Sequence, residues 1–166
     1  MQSYHFMRAH RAFTAIELMV MLLVVAILAA IAVPNYSEQI ASAQVVQSIT
    51  LAAIAENGVA AYYATKHAFP EDNAAALLPP ANFIVSNYVS SLTVQNGAVT
   101  LGFGNQANGH LKGKFLSIRP AIVPAYPQVP IAWICGMANV PAQMTVNGEN
   151  KTNLTLAELP YSCRPN

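Results

Sequence analysis

An unbroken apolar run from Leu18 to Val33, entered through the single carboxylate of Glu17, constrains this chain more than any other stretch. Counted from Phe13 the segment is 21 residues long, and a bilayer core about 30 Å thick needs roughly 20 helical residues. The sequence therefore predicts a membrane-length helix. One acidic group inside such a helix costs on the order of 2.5–3.5 kcal/mol on insertion scales, so Glu17 calls for a cationic partner or a shallow position. Arg8 and Arg11 precede the run, and no acidic residue occurs in the first 12 positions. That positive bias holds the amino terminus in the cytoplasm and sends the remainder outward.

Two readings of this terminus come from the residues alone. A conventional secretory signal would be cut after Ala30-Ile31-Ala32, which meets the small-x-small requirement, and would release a secreted domain. An uncleaved signal anchor is the second. Neither has a use for Glu17.

The stretch Arg11-Ala12-Phe13-Thr14-Ala15-Ile16-Glu17-Leu18, followed by the apolar run and by Pro34-Asn35-Tyr36, resembles the type IV prepilin signature. The resemblance implies that a prepilin peptidase cuts between Ala12 and Phe13, removes the leader 1–12, and methylates the new amino group of Phe13. The hydrophobic helix then stays on the mature protein. One departure is visible: Ala12 stands where the family usually carries Gly, the smallest change available, which implies slowed or incomplete processing at worst. An inner-membrane platform protein and cytoplasmic ATPases are the further partners implied. The family's filaments serve adhesion, twitching motility or DNA uptake, and the implied location is the inner membrane for the precursor and a surface fimbrium afterwards.

Cleavage before Phe13 would create a cationic amine four residues from Glu17, in a medium where unit charges attract far more strongly than in water. Residues four apart share a helix face, so pairing within one chain is open. Pairing between subunits explains more. A misaligned subunit would leave a buried, unpaired charge at a cost of several kcal/mol, so Phe13, Thr14 and Glu17 are expected to set assembly register.

Beyond Val33, the residues Ile40, Ala43, Val46, Thr50, Ile54 and Tyr62 recur at helical spacing between polar positions, which predicts an amphipathic helix that buries this stripe. Pro34 is expected to kink the helix without ending it. The whole rod should run from Phe13 to near Ala64, about 52 residues or roughly 78 Å. It divides into a hydrophobic half, 13–33, and an amphipathic half, 34–64. Residues 65–166 form the head, long enough for one modest core. Strands are expected over Val89–Val94, Val99–Phe103, Lys114–Ile118 and Ile131–Cys135, with Gln95-Asn96-Gly97-Ala98 as a tight hairpin turn. Pro120 to Pro130 reads as a proline-rich loop. The expected fold is α+β, a long amino-terminal helix packed on a roughly four-stranded antiparallel sheet.

Only two cysteines occur, Cys135 and Cys163, both in the exported part, and an even count in an oxidising compartment favours a disulfide. It would close 135–163 and stabilise by roughly 3–4 kcal/mol in the chain-entropy model. Leu159-Pro160-Tyr161-Ser162-Cys163-Arg164, with Trp133-Ile134-Cys135 before it, also resembles the disulfide-bounded loop of type IVa pilins. The disulfide favours a pilus subunit over the pseudopilins of secretion systems.

No catalytic, metal or cofactor pattern is present in the sequence. His67 and His110 stand alone in the mature chain, Glu71-Asp72 reads as solvated, and Gly102, Gly104 and Gly109 read as turn glycines. Lys112, Lys114 and Arg119 gather beside Phe115, yet the mature chain carries six basic against seven acidic side chains. Nucleic-acid binding by one subunit is therefore expected to be weak, since non-specific affinity is electrostatic. Asn150-Lys151-Thr152 and Asn153-Leu154-Thr155 match a short glycosylation triplet. The reading that accounts for most of the chain is a structural, non-enzymatic filament subunit whose main partner is further copies of itself. A minor pilin, a pseudopilin, or a domain secreted after Ala32 are the alternatives.

Overall fold

The computed structural model describes residues 13–32 and 36–165. The chain divides between Tyr36 and Ser37 into two compact units. In the first, helix α1 spans Ala15–Ala32. Its 18 residues rise about 27 Å, and no single helix among the described residues is long and apolar enough to cross a membrane. From Phe13 to Ile31 every residue is exposed. The expected kink at Pro34 lies outside the described residues.

The second unit is built on α2, Tyr36–Lys66. The helix stops where His67 turns left-handed (φ 51°), its N–H still reaching the Tyr63 carbonyl at 2.9 Å. A left-handed residue just past the last turn is a common helix stop. Here the structure corrects the expected packing face. The buried positions of α2 are Ala41, Val45, Ser48, Ala52, Ala55 and Val59, whereas Ile40, Val46 and Ile54 of the anticipated stripe are exposed. Small side chains at alternating spacings of four and three let the helix lie close on the sheet. The buried Ser48 hydroxyl is satisfied by donating to the Gln44 carbonyl at 2.7 Å.

Five strands follow: β1 Val89–Gln95, β2 Ala98–Phe103, β3 Phe115–Ile122, β4 Ala132–Cys135 and the two-residue β5 Thr145–Val146. The sheet is antiparallel in the order β1-β2-β3-β4, with β5 paired to β3. Asn96 (φ 48°) and Gly97 (φ 80°) form the two-residue turn between β1 and β2, both left-handed as a type I′ turn demands. β3 runs further than expected, through Pro120 to Ile122. Proline is tolerated there because its missing N–H falls where β2 has ended, and its carbonyl still accepts from the Asn147 N–H at 2.9 Å. Gly102 lies inside β2 and not in a turn; a Cβ there would come within 2.6 Å of the Ser91 hydroxyl.

The core sits between α2 and the sheet, formed by Val45, Val59, Leu92, Leu101, Leu116 and Leu159 among others. A fully buried leucine contributes about 1.5–3 kcal/mol. The connection from α2 to β1 shields the free edge of β1. Asn73, itself buried, accepts from the Val94 N–H at 2.6 Å and donates to the Leu92 and Pro79 carbonyls, both at 3.0 Å. That contact occupies the Val94 N–H and the Leu92 carbonyl, two edge groups another chain would otherwise use.

Candidate assembly site

The start of α1 and the two residues before it carry Phe13, Thr14 and Glu17, the residues anticipated from sequence for assembly. Thr14 precedes the helix, and its hydroxyl oxygen accepts the Glu17 N–H at 3.3 Å while donating to the Glu17 carboxylate at a long 3.5 Å. This is the N-cap half of a capping box: Thr14 satisfies the Glu17 N–H, while the Glu17 carboxylate meets the Thr14 hydroxyl in place of its backbone N–H. The pattern Thr14-Ala15-Ile16-Glu17 carried that signal, and reading Glu17 only as a lone charge missed it. Glu17 is thus placed at the positive end of the α1 dipole. Phe13 and Glu17 are both exposed, and Ala12 lies outside the described residues.

On α2, Val46 and Ile54 are each 52 % exposed. They form, with Ile40 and Thr50, a largely apolar ridge pointing away from the sheet, bordered at Thr50 and Ile54 by Ser86 and Tyr88. Glu56, half-buried on the same helix, has its carboxyl pushed above the ordinary value by desolvation.

At the carboxyl end, Cys135 and Cys163 are bonded, with Cα atoms 4.6 Å apart. The closed segment is also stitched to the start of β3 by side chains that substitute for a missing strand. The Thr152 hydroxyl accepts the Ser117 N–H at 3.0 Å, and the Asn153 carbonyl oxygen accepts the Phe115 N–H at 2.7 Å. Lys151 donates its backbone N–H to the Ser117 hydroxyl at 2.9 Å. That hydroxyl pairs in turn with Thr100 at 3.1 Å across the outer face of the sheet.

Glu158 fastens the end of this segment. Its side chain, 4 % exposed, meets the Lys114 ammonium at 2.7 Å and accepts the Thr155 N–H at 2.8 Å. Burial alone would raise the carboxyl, but the hydrogen bond and charge of Lys114, together with the Thr155 N–H, outweigh it and hold Glu158 below the usual range. Lys114 is not free to serve a polyanion. Lys114 is committed to Glu158, and Arg119, its guanidinium lowered by desolvation, has a buried Nε without a hydrogen-bond partner. Of the basic group Lys112 is exposed, whereas Lys114 and Arg119 are partly buried.

The remaining candidates are accounted for by structure. Asp72 accepts the Ala75 N–H at 2.8 Å, a local turn contact, and His67 and His110 are exposed loop residues. Among the described residues no group of three His, Cys, Asp or Glu could hold a metal ion. The Asn150 amide donates to the Gly136 carbonyl at 2.8 Å, so both triplet asparagines are engaged in holding the loop.

The family model for pilins, described as a bacterial filament, matches residues 41–164. The chain belongs to the pilin family. A type IV major pilin protein of Neisseria gonorrhoeae is 34 % identical over 160 residues, covering 93 % of this chain and 87 % of the relative. A fimbrial protein of Neisseria meningitidis serogroup A is 32 % identical over 166 residues, with coverage of 93 % and 94 %. A fimbrial protein of Eikenella corrodens is 37 % identical over 163 residues, with coverage of 95 % and 92 %. This pilin is accordingly a structural pilus subunit. The alternatives of a pseudopilin, a minor pilin or a domain secreted after Ala32 are not favoured by relatives that are named major pilins and fimbrial proteins. The family match starts on the buried face of α2 at Ala41 and ends at Arg164, just past the disulfide, so it covers the packed head.

Proposed function

We propose that this pilin is made with the leader 1–12, is cut between Ala12 and Phe13, and is methylated on Phe13 by a prepilin peptidase. Residues 13–33 rest in the inner membrane before assembly, with 34–64 and the head 65–166 outside. A platform protein and assembly ATPases move the subunit from lipid into a surface filament of identical copies, with Pro34 as the bend between the two helical halves. The filament serves adhesion, twitching motility or DNA uptake and carries no enzymatic activity. DNA contact by a single subunit is weak, since one exposed lysine is left in the basic group, and repetition along the fibre is what would amplify it.

The observation that carries this reading is an apolar helix exposed along its described length and opened by the Thr14–Glu17 cap. Such a surface cannot stay in water, and lipid first and neighbouring helices later are the environments that cover it. The long, exposed hydrogen bond from Thr14 leaves Glu17 able to take a stronger donor, the Phe13 amine of the next subunit. That exchange sets register, because a slipped subunit strands the charge. Replacing Glu17→Val is expected to give a membrane-stable subunit in normal amounts and no filaments by electron microscopy. Filaments of normal number and length from that variant would remove Glu17 from the mechanism.

A further inference from the structure

Leu77 is the least economical residue in the head. It is 93 % exposed and takes a left-handed backbone conformation (φ 57°), which is a genuine outlier for a bulky side chain. The cause is local: residues 73–77 make one helical turn that ends when the Leu78 N–H bonds the Asn73 carbonyl at 2.8 Å and the Leu77 N–H bonds the Ala74 carbonyl at 3.0 Å. Those two bonds define a helix stop whose left-handed position is usually glycine or asparagine. Leucine there is unfavourable for the backbone and unfavourable for the solvent, and no contact within the head offsets either.

The turn lies directly against α2. At Gly58 an added Cβ would come within 2.8 Å of the Ala76 carbonyl, so the glycine lets the backbone of the turn touch the helix. Leu77 thus stands on the lip of an apolar groove running along Gly58, Ala61 and Tyr62. That groove continues the exposed ridge of α2 through Ile54.

A socket lies on the other flank of the same helix. Tyr63, Val129, Pro130 and Trp133 border an open cleft of about 360 Å³, with Ala60 and Ala64 as its floor. Its wall is firm, because Tyr63 is stacked on Phe69 with ring centroids 4.7 Å apart. Around a helix of 3.6 residues per turn, Gly58 and Tyr62 point to one side and Ala60 and Tyr63 roughly half a turn away. Knob and socket therefore sit on opposite sides of one head.

We propose that Leu77 of one subunit seats in the Tyr63–Val129–Trp133 cleft of a second copy of this chain. A contact between two different patches of identical molecules is heterologous and propagates without closing, the geometry an open filament requires. The occupant is a second copy because this pilin has copies of itself as neighbours along the fibre, and because both surfaces are mainly apolar, the Leu77 groove continuing the α2 ridge. The inference rests on the filament reading above but concerns the heads, not the α1 bundle.

Two measurements on the full chain test it. Leu77→Asn relieves the backbone, since asparagine accepts the left-handed region. Its detergent-solubilised monomer is expected to melt at or above the parent temperature, while its sheared filaments melt lower than those of the parent. Second, the double variant Leu77→Cys with Val129→Cys, oxidised in assembled filaments, is expected to give a ladder of covalent multimers absent from either single variant and from monomers in detergent. Filaments of Leu77→Asn as heat-stable as the parent's, or dimers from Leu77→Cys alone, would overturn the knob-and-socket contact. Loss of all filaments in Glu17→Val with intact assembly in Leu77→Asn separates the failure of this contact from failure of the helix-driven assembly on which it rests.

Discussion

Glu158 is where residue chemistry reaches stability most directly. Its carboxyl is held below the ordinary range in the folded head, so the stabilisation it gives is complete above the unfolded value near 4.5 and is lost as pH falls through the lower folded value. The melting temperature of the parent is thus expected to drop with acidification below that point. Glu158→Gln should flatten the drop and lower the melting temperature at neutral pH. The expected cost is about 1–3 kcal/mol, below that of a fully buried pair because Lys114 is partly solvated. Thermal melts of both proteins across that acidic range check it, and identical pH profiles would show that Glu158 does not carry the linkage. A glycine inside a helix, as at Gly58, is a weak point by propensity alone. Its use, the close approach of the Ala76 carbonyl, depends on a chain segment that packs from 18 residues away and leaves no local mark.

Among the elements, α2 teaches the most. The period of its large apolar residues was correct for a helix, but the side it named is the one turned outward. Ile, Val and Thr at 40, 46, 50 and 54 make the more hydrophobic stripe, while the sheet takes the side lined by Ala41, Ala52 and Ala55 because small residues permit close packing. Periodicity therefore fixes the element and not the partner. Opposite outcomes are expected for the two faces. Ala52→Leu overpacks the head and should lower monomer stability by about 1–3 kcal/mol. Ile54→Asn should leave monomer melting unchanged within about 0.5 kcal/mol and weaken the filament. Equal effects of the two on the monomer would contradict the assignment of faces.

The disulfide-closed segment behaves as an element of its own. Its cysteines were readable from their count and compartment, whereas the side-chain stitching by Thr152 and Asn153 was not, because loop asparagines and threonines carry no periodic signal. Cys135→Ser with Cys163→Ser is expected to destabilise the head by roughly 3–4 kcal/mol in the chain-entropy model. The Lys114–Glu158 pair and the β3 contacts should keep the segment docked at neutral pH. Hydrogen exchange at Phe115 and Ser117 reports this: retained protection below the melting temperature is the expected outcome, and full exchange would mean that the disulfide alone holds the segment.

At the scale of the whole molecule, the sequence was legible where physics is local. The apolar run, the Asn96-Gly97 turn and the helix-to-sheet order each follow from a few adjacent residues, and α1, the β1–β2 hairpin and the α+β layering agree with them. Long-range packing was less legible: β3 passing through Pro120, the added β5, and Asn73 capping the edge of β1 all depend on residues distant in sequence. The proposed assembly junction is legible as chemistry, since a cap, a carboxylate and an exposed apolar helix stand together at Thr14 to Ile31. Two kinds of exposed apolar surface stand out, the α1 helix and the outward side of α2 with its flanking groove and cleft, and the proposals above assign both to assembly.

The account depends on the helix surviving processing. Mass spectrometry of the main band in sheared surface filaments measures this directly. The account predicts a chain beginning at Phe13, one methyl group heavier on its amino-terminal residue, with α1 intact. A main band that begins at Met1 or Val33 would contradict it.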